Sequence, residues 1–343
     1  MNLRFLVIGG LAIAGCSLDW VRLDPAMGDP GNAAGGGTGG TGGTGGTGGA
    51  EGGSPPEGGG GQGAQGAQGG TGGVSGAGGG DGGQGGEPLG PWNAPTAFPH
   101  SSASASDDDP SFTADGLELY FNSFRNGPSE IFVCVRSSRS QTWGAPQLAP
   151  ELAPGPSASN PVIAPDGLTM WLSGRFDGQT SEDRDVYVTT RPNRQSTWAA
   201  PVLVAELSAL SVNDFPGSVT PDELTMVLER GSDLFVATRS SPTGAWMPPA
   251  PIAELNTPSV ERQPWLAHDG LSLYFDTGPD FDLGDLVLSV RPSTMATWSA
   301  PTIIAELSTT DGESDAWLSP DQRYIMFTRD PPVGPSNIYE ATR

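Results

Sequence analysis

The chain has 343 residues, 52 of them glycine, and its basic residues are 16 arginines with no lysine. From residue 88 onward, 32 acidic side chains stand against 14 arginines, a formal charge of −18. Such a surface repels phosphate backbones and anionic headgroups, which argues against nucleic acid as a partner. It suits a well-solvated exported protein or one that meets cationic proteins or metal ions.

Residues 1–16 read MNLRFLVIGGLAIAGC. Arg4 and the α-amino group precede an apolar run from Phe5 to Gly15, too short to span a bilayer but suited to a signal-peptide core. The run ends Ile13-Ala14-Gly15-Cys16, which resembles the lipobox of bacterial lipoproteins. That resemblance implies removal of residues 1–15, a diacylglyceryl group on the Cys16 thiol and acylation of the new amino group. Ser17 in place of Asp then implies the outer membrane. Two or three acyl chains give stable anchoring. The other reading is an ordinary cleaved signal with an incidental Cys16.

A short segment, 16–34, leads into a stretch from 35 to 87 that is nearly all Gly, Thr, Gln, Ala and Ser. It cannot bury enough apolar surface to offset the entropy of ordering it, so a disordered tether is expected. A coil of that length has an r.m.s. span of about 40 Å. Cys134, in the apolar run Ile131–Val135, reads as a core residue, and with Cys16 as its only counterpart no disulfide framework is expected.

Residues 88–343 repeat at a period near fifty. Turn signals fall at Asp115-Gly116, Asp166-Gly167, Asp222-Glu223, Asp269-Gly270 and Asp321-Gln322, spaced 51, 56, 47 and 52 residues apart. Each joins a short apolar strand to a longer one: LELYF, LTMWL, LTMVL, LSLYF, YIMF. A third strand follows in each repeat and ends at Arg136, Arg191, Arg239, Arg291 or Arg343. A fourth is expected to begin at Trp143, Trp198, Trp246 and Trp298. Four strands per repeat is the pattern of propeller blades.

The fifth repeat stops at Arg343 without its tryptophan strand, and a matching piece, Trp92-Asn93-Ala94-Pro95, stands before the first. The sequence therefore predicts an all-β, five-bladed propeller closed by an N-terminal strand. An open arc, or a ring completed by a second chain, is the alternative, and a monomer is expected. Ala164-Pro165-Asp166-Gly167, Leu318-Ser319-Pro320-Asp321, Asp185-Val186-Tyr187 and Asn337-Ile338-Tyr339 resemble the TolB-type "PD" propeller repeat. The likeness covers nearly all of 90–343. Glu223, Gln322 and His268 depart from it.

The repeated Trp, Asp and Arg residues read as scaffold. More informative are acids eight residues before the turn Asp: Asp107, Asp214, Glu261 and Glu313, with Ala158 breaking the series, and their neighbours Asp108, Asp109 and Asp315. Innermost strands line a propeller's channel, so these seven acids are expected to ring one mouth. There they would bind a cation such as Ca²⁺ or the basic groups of a partner. The alternative is that they cap strand starts in hydrated loops.

Asp109-Pro110-Ser111 with Asp115-Gly116 also resembles the opening strand of arabinanase-like glycosidases, which implies an Asp base and a second carboxylate as acid. No distinct Glu stands in a matching acid context, and His100 and His268 show no metal spacing. The first expectation is a non-catalytic, envelope-anchored binding or scaffolding module. As the TolB-type resemblance implies, it would contact an envelope protein or a peptidoglycan-associated component. The second is a carbohydrate-binding or carbohydrate-cleaving propeller.

Overall fold

The computed structural model describes residues 89–152, 157–176, 183–279 and 284–343. The expected signal segment, Cys16 and the 35–87 tether lie outside the described residues. No described helix is long and apolar enough to cross a membrane.

The first strand, β1 (Thr96–Ala97), belongs to the last blade. Blade 1 comprises β2 (Asp107–Phe112), β3 (Glu118–Ser123), β4 (Glu130–Val135) and β5 (Gln147–Leu148). Blade 2 comprises β6 (Ser157–Ile163), β7 (Thr169–Arg175), β8 (Asp185–Thr190) and β9 (Val202–Leu203). Blade 3 comprises β10 (Asp214–Val219), β11 (Thr225–Arg230), β12 (Asp233–Thr238) and β13 (Ala250–Pro251). Blade 4 comprises β14 (Val260–Leu266), β15 (Ser272–Gly278), β16 (Asp285–Val290) and β17 (Thr302–Ile303). Blade 5 comprises β18 (Gly312–Leu318), β19 (Tyr324–Asp330) and β20 (Asn337–Thr342), completed by β1.

All pairings are antiparallel, and the first strand of each blade touches that of the next, with β18 returning to β2. The ring is thus closed within one chain. Thr96 pairs with Glu340, and the amide of Phe98 donates to the Ile338 carbonyl at 2.8 Å.

The outer strands differ from expectation in one respect. The tryptophan of each blade does not begin the strand; it sits in an irregular segment ahead of it, and the strand is only two residues long. Pro146, Pro201, Pro249 and Pro301 follow the tryptophans and lack the N–H a ladder needs. The indole instead packs inward. Trp198 meets Tyr120 of the preceding blade edge-on at 6.0 Å, and Trp246 meets Trp171 in the same way at 6.5 Å.

The arginine ending each third strand secures both features. Its Nε donates at 2.6–2.7 Å to the carbonyl of Gly116, Gly167, Glu223, Gly270 or Gln322, the second residue of its blade's turn. Its guanidinium lies 4.0–4.4 Å from the centroid of the blade's tryptophan. Glu223 and Gln322 adopt the left-handed backbone of that turn at φ 56° and 55°, where the other blades place glycine.

Every first strand carries a bulge midway, where two residues oppose one of the second strand in blades 1, 2, 4 and 5. The bulge residues Asp109, Asn160, Gln263 and Asp315 have φ of 51–55°. In blade 3 the bulge is Pro216-Gly217. A Cβ on Gly217 would lie 2.1 Å from the Pro264 carbonyl oxygen, so only glycine fits there.

Candidate axial site

The first strands start at a polar end of the axis and run toward an apolar one. The apolar end is filled by Phe112, Val162, Trp265 and Trp317. Between the two ends lies a cavity of about 30 Å³ whose wall includes Asp109, Asn160, Pro216, Gln263 and Asp315, one bulge residue from each blade. The bulges create this ring. A one-residue insertion with a left-handed backbone turns a side chain that the strand's alternation would send elsewhere.

The seven acids singled out from sequence divide into two groups. Asp107, Asp214, Glu261 and Glu313 are buried, and none lines the axial cavity. Each caps the loop that leads into its blade. Asp214 accepts from the Ala209 amide at 2.6 Å, Glu261 from Thr257 at 2.9 Å and Glu313 from Thr309 at 3.2 Å, and the Ser102 amide does the same for Asp107. Arg125, Arg230 and Arg329 pair with Asp107, Asp214 and Glu313 at 2.8, 2.5 and 3.0 Å. Burial raises the Asp214 and Glu313 carboxyls above the ordinary range despite these partners.

Asp108, Asp109 and Asp315 form the second group, and the structure brings them together. Asp109 accepts from the Asn160 side-chain amide at 2.7 Å, and the same amide donates to Gln263 Oε1 at 2.9 Å, linking blades 1, 2 and 4. Arg184 donates to Ser159 Oγ at 2.6 Å, which in turn donates to Asn160 Oδ1 at 2.8 Å. Asp315 and Asp330 share the Ser314 hydroxyl at 3.1 and 3.0 Å. Asp108 accepts from the Asn122 amide.

Three further acids, Glu229, Asp276 and Asp330 from second strands, interact electrostatically with this group. They carry no motif. Their placement follows from register, which sets Glu229 opposite Phe215, Asp276 opposite Arg262 and Asp330 opposite Gly312. Arg262 pairs with Asp276 at 2.8 Å. Among the described residues, Asp276 Oδ1, Asn122 Oδ1 and Thr328 Oγ1 are buried without a hydrogen-bond partner.

Crowding of buried carboxylates disfavours their ionisation. Burial, then the charges of Asp315 and Asp330, hold Asp108 well above its ordinary value; burial, then Asp315 and Asp108, do so for Asp109. Burial pushes Glu229 up to about 8 and Asp276 up to about 7, the latter against the pull of Arg262. No three or more His, Cys, Asp or Glu among the described residues are arranged to hold a metal ion.

The fold and its axis define a class, the five-bladed propeller with a closed ring and a polar axial chamber. No family model and no curated relative matches the chain. Solved structures share the fold. A GH62 hydrolase in complex with xylotriose is 12% identical, with 74% of this chain and 98% of that one covered and a TM-score of 0.52. An α-L-arabinofuranosidase from Podospora anserina, in complex with cellotriose, is 12% identical over 74% and 95% of the two chains, at a TM-score of 0.47. A putative TolB from Agrobacterium tumefaciens is 15% identical over 67% and 72%, at 0.44. At these identities the likeness is one of fold alone.

Proposed function

We propose that this chain is a non-catalytic, envelope-anchored binding module whose propeller axis accepts one basic group of a protein partner. The size and lining of the axial cavity carry this reading. Its volume is small, about 30 Å³, and with Asp109 and Asp315 in its wall it suits a compact cationic tip such as an ammonium group. Asp109 and Asp315 stand in its wall, and the charges of Asp108, Glu229, Asp276 and Asp330 act on these or on one another, with Arg262 and Arg184 as the bases nearby, so acids outnumber bases. A buried cation entering there would ionise carboxyls that otherwise hold protons.

A glycosidase needs two carboxyls about 5–9.5 Å apart with a sugar between them. Asp109 and Asp315 stand in the wall of one cavity of about 30 Å³, too small for a sugar ring, and Trp265 beside them is only 3% exposed. Acylation at Cys16 would tie the domain to the envelope, and the stretch 35–87 would let it search for its partner.

The test is capture from detergent-solubilised envelopes using the chain and an Asp109→Asn/Asp315→Asn variant. Asn is isosteric with Asp and spares the loop cap at Asp107. Loss of one defined partner with the variant supports the reading. An unchanged partner set, or release of sugar from xylo- or arabino-oligosaccharides by the native chain, overturns it.

A further inference from the structure

The bulges decide which atoms face the axis. Asp109, Asn160, Gln263 and Asp315 stand in the cavity wall, one each from blades 1, 2, 4 and 5, while blade 3 contributes Pro216-Gly217 and no polar side chain. The amide donors of Asn160 are spent within this ring. Its Nδ2 serves Asp109 Oδ1 and Gln263 Oε1, and its backbone N–H serves Asp109 Oδ2 at 3.2 Å. One strand outward, Asp276 stands opposite Arg262, the neighbour of Gln263. Arg262 holds Asp276 Oδ2 at 2.8 Å, whereas Oδ1 of this 1%-exposed side chain accepts no hydrogen bond. The charges of Asp315 and Asp330 act on Asp276. An unmatched buried acceptor calls for a donor, and an excess of acid calls for a positively charged one.

Shape selects among cations. Asp109, Gln263 and Asp315 keep partial exposure, so the ring is open to entry. Asp109 lies two residues below the start of β2, about 7 Å along the strand, a depth that the four-carbon stem of a lysine spans. The oxygens come from four blades around the axis. An ammonium entering along that axis spreads three donors evenly about its C–N bond. A guanidinium is planar and holds its five N–H groups in a fixed fork. Entering the same way, its plane contains the axis, so it meets only two opposite sides of the ring.

We infer that the axial chamber is a lysine site, which takes the primary ammonium of an exposed partner lysine along the propeller axis and discriminates against arginine. This rests on the axial reading above and narrows it to one side chain. The groups that set the charge around the ring are the acids Asp108, Glu229, Asp276 and Asp330 and the bases Arg184 and Arg262. The acids hold protons that an incoming ammonium displaces, so binding tightens as the pH rises from 5.5 to 8.

The test titrates methylammonium, methylguanidinium and sodium chlorides into the full chain labelled with ¹⁵N-tryptophan, at an ionic strength held constant with choline chloride. Trp265 and Trp317 flank the cavity, so their indole signals, assigned with Trp265→Phe and Trp317→Phe, report its occupancy. Trp198, ahead of β9, is the reference and also shows that each variant is folded. The expected result at pH 8 is a saturable shift of the two axial signals by methylammonium. Methylguanidinium and sodium should bind at least fivefold more weakly, as should methylammonium at pH 5.5 or with the Asp109→Asn/Asp315→Asn variant. Methylguanidinium binding as tightly as methylammonium would overturn the lysine assignment and leave the basic-group reading standing. Sodium binding as tightly would overturn the assignment by making the chamber a site for any small cation. No saturable shift with either organic cation would overturn both.

Discussion

The guanidinium of Arg343 lies 4.1 Å from the centroid of the Trp92 ring, and its Nη2 donates to the Tyr274 hydroxyl at 3.0 Å. The two ends of the propeller chain thus meet in the same arginine–tryptophan pair that organises each blade internally. Trp92 is 6% exposed and packs with Tyr274, Leu286 and Phe327, so it fills the last groove between blades as Trp198 fills the first.

Trp92→Ala should therefore destabilise the domain by about 3–5 kcal/mol, the usual cost of emptying a buried tryptophan site. Urea unfolding of the variant measures this. A loss below about 1 kcal/mol would mean that the N-terminal strand does not close the ring.

The contact between blades 1 and 2 includes an ion cluster. Glu118 takes Arg191 at 2.5 Å on one carboxylate oxygen and Arg194 at 2.7 Å on the other, and Arg194 also reaches Asp115 at 2.6 Å. The participating side chains are 4–12% exposed, so solvent cannot take over the arginines when the acid is removed. Glu118→Ala should cost about 3–5 kcal/mol. The double variant Glu118→Ala/Arg191→Met should recover part of that loss, which a double-mutant cycle reads directly.

The axial acids set the direction of the pH dependence. Glu229 titrates at about 8 and Asp276 at about 7 in the folded protein, against roughly 4 when unfolded. Between those values the folded state holds protons that the unfolded state has released, so the stability these two groups contribute is full below about pH 4 and is lost as pH rises toward 8. Each fully titrating group contributes a slope of at most about 1.4 kcal/mol per pH unit. Glu229→Gln should flatten the slope between pH 4.5 and 8, as measured by denaturation at several pH values. An unchanged slope would show that Glu229 is already ionised in the fold.

Backbone strain gives two variants of opposite sign. Ser232 follows Gly231 in the β11–β12 turn, at φ 75°, where glycine is preferred. Ser232→Gly should stabilise the protein by about 0.5 kcal/mol, as relief of left-handed strain outweighs the added chain entropy. Gly217→Ala should destabilise it by about 3 kcal/mol or more, because the new methyl would meet the Pro264 carbonyl. Thermal unfolding of both variants decides the pair. Equal melting temperatures would contradict the bulge geometry.

The sequence by itself determined the architecture. Five turn signals, five arginines closing third strands and five tryptophans fix the number of blades. Trp92 and Arg343 fix the closure, because each repeat buries its apolar face only against the next. The acidity of the strand starts was legible too, but which way each carboxylate points was not. Asp107 and Asp109 stand two apart on one strand, and simple alternation would put them on the same face. The bulge after Asp108 breaks that alternation, leaving Asp107 on its loop cap and turning Asp109 to the axis.

Glu229, Asp276 and Asp330 join the same network of interacting acids only through cross-strand register, a relation between residues distant in the chain that no local pattern records. The chamber's small volume likewise follows from how five bulges and the Trp265–Trp317 contact, with centroids 6.1 Å apart, fill the axis. Repeats encode blades because each blade satisfies its own hydrogen bonds. The axis belongs to no blade, so its chemistry is decided only when all five converge.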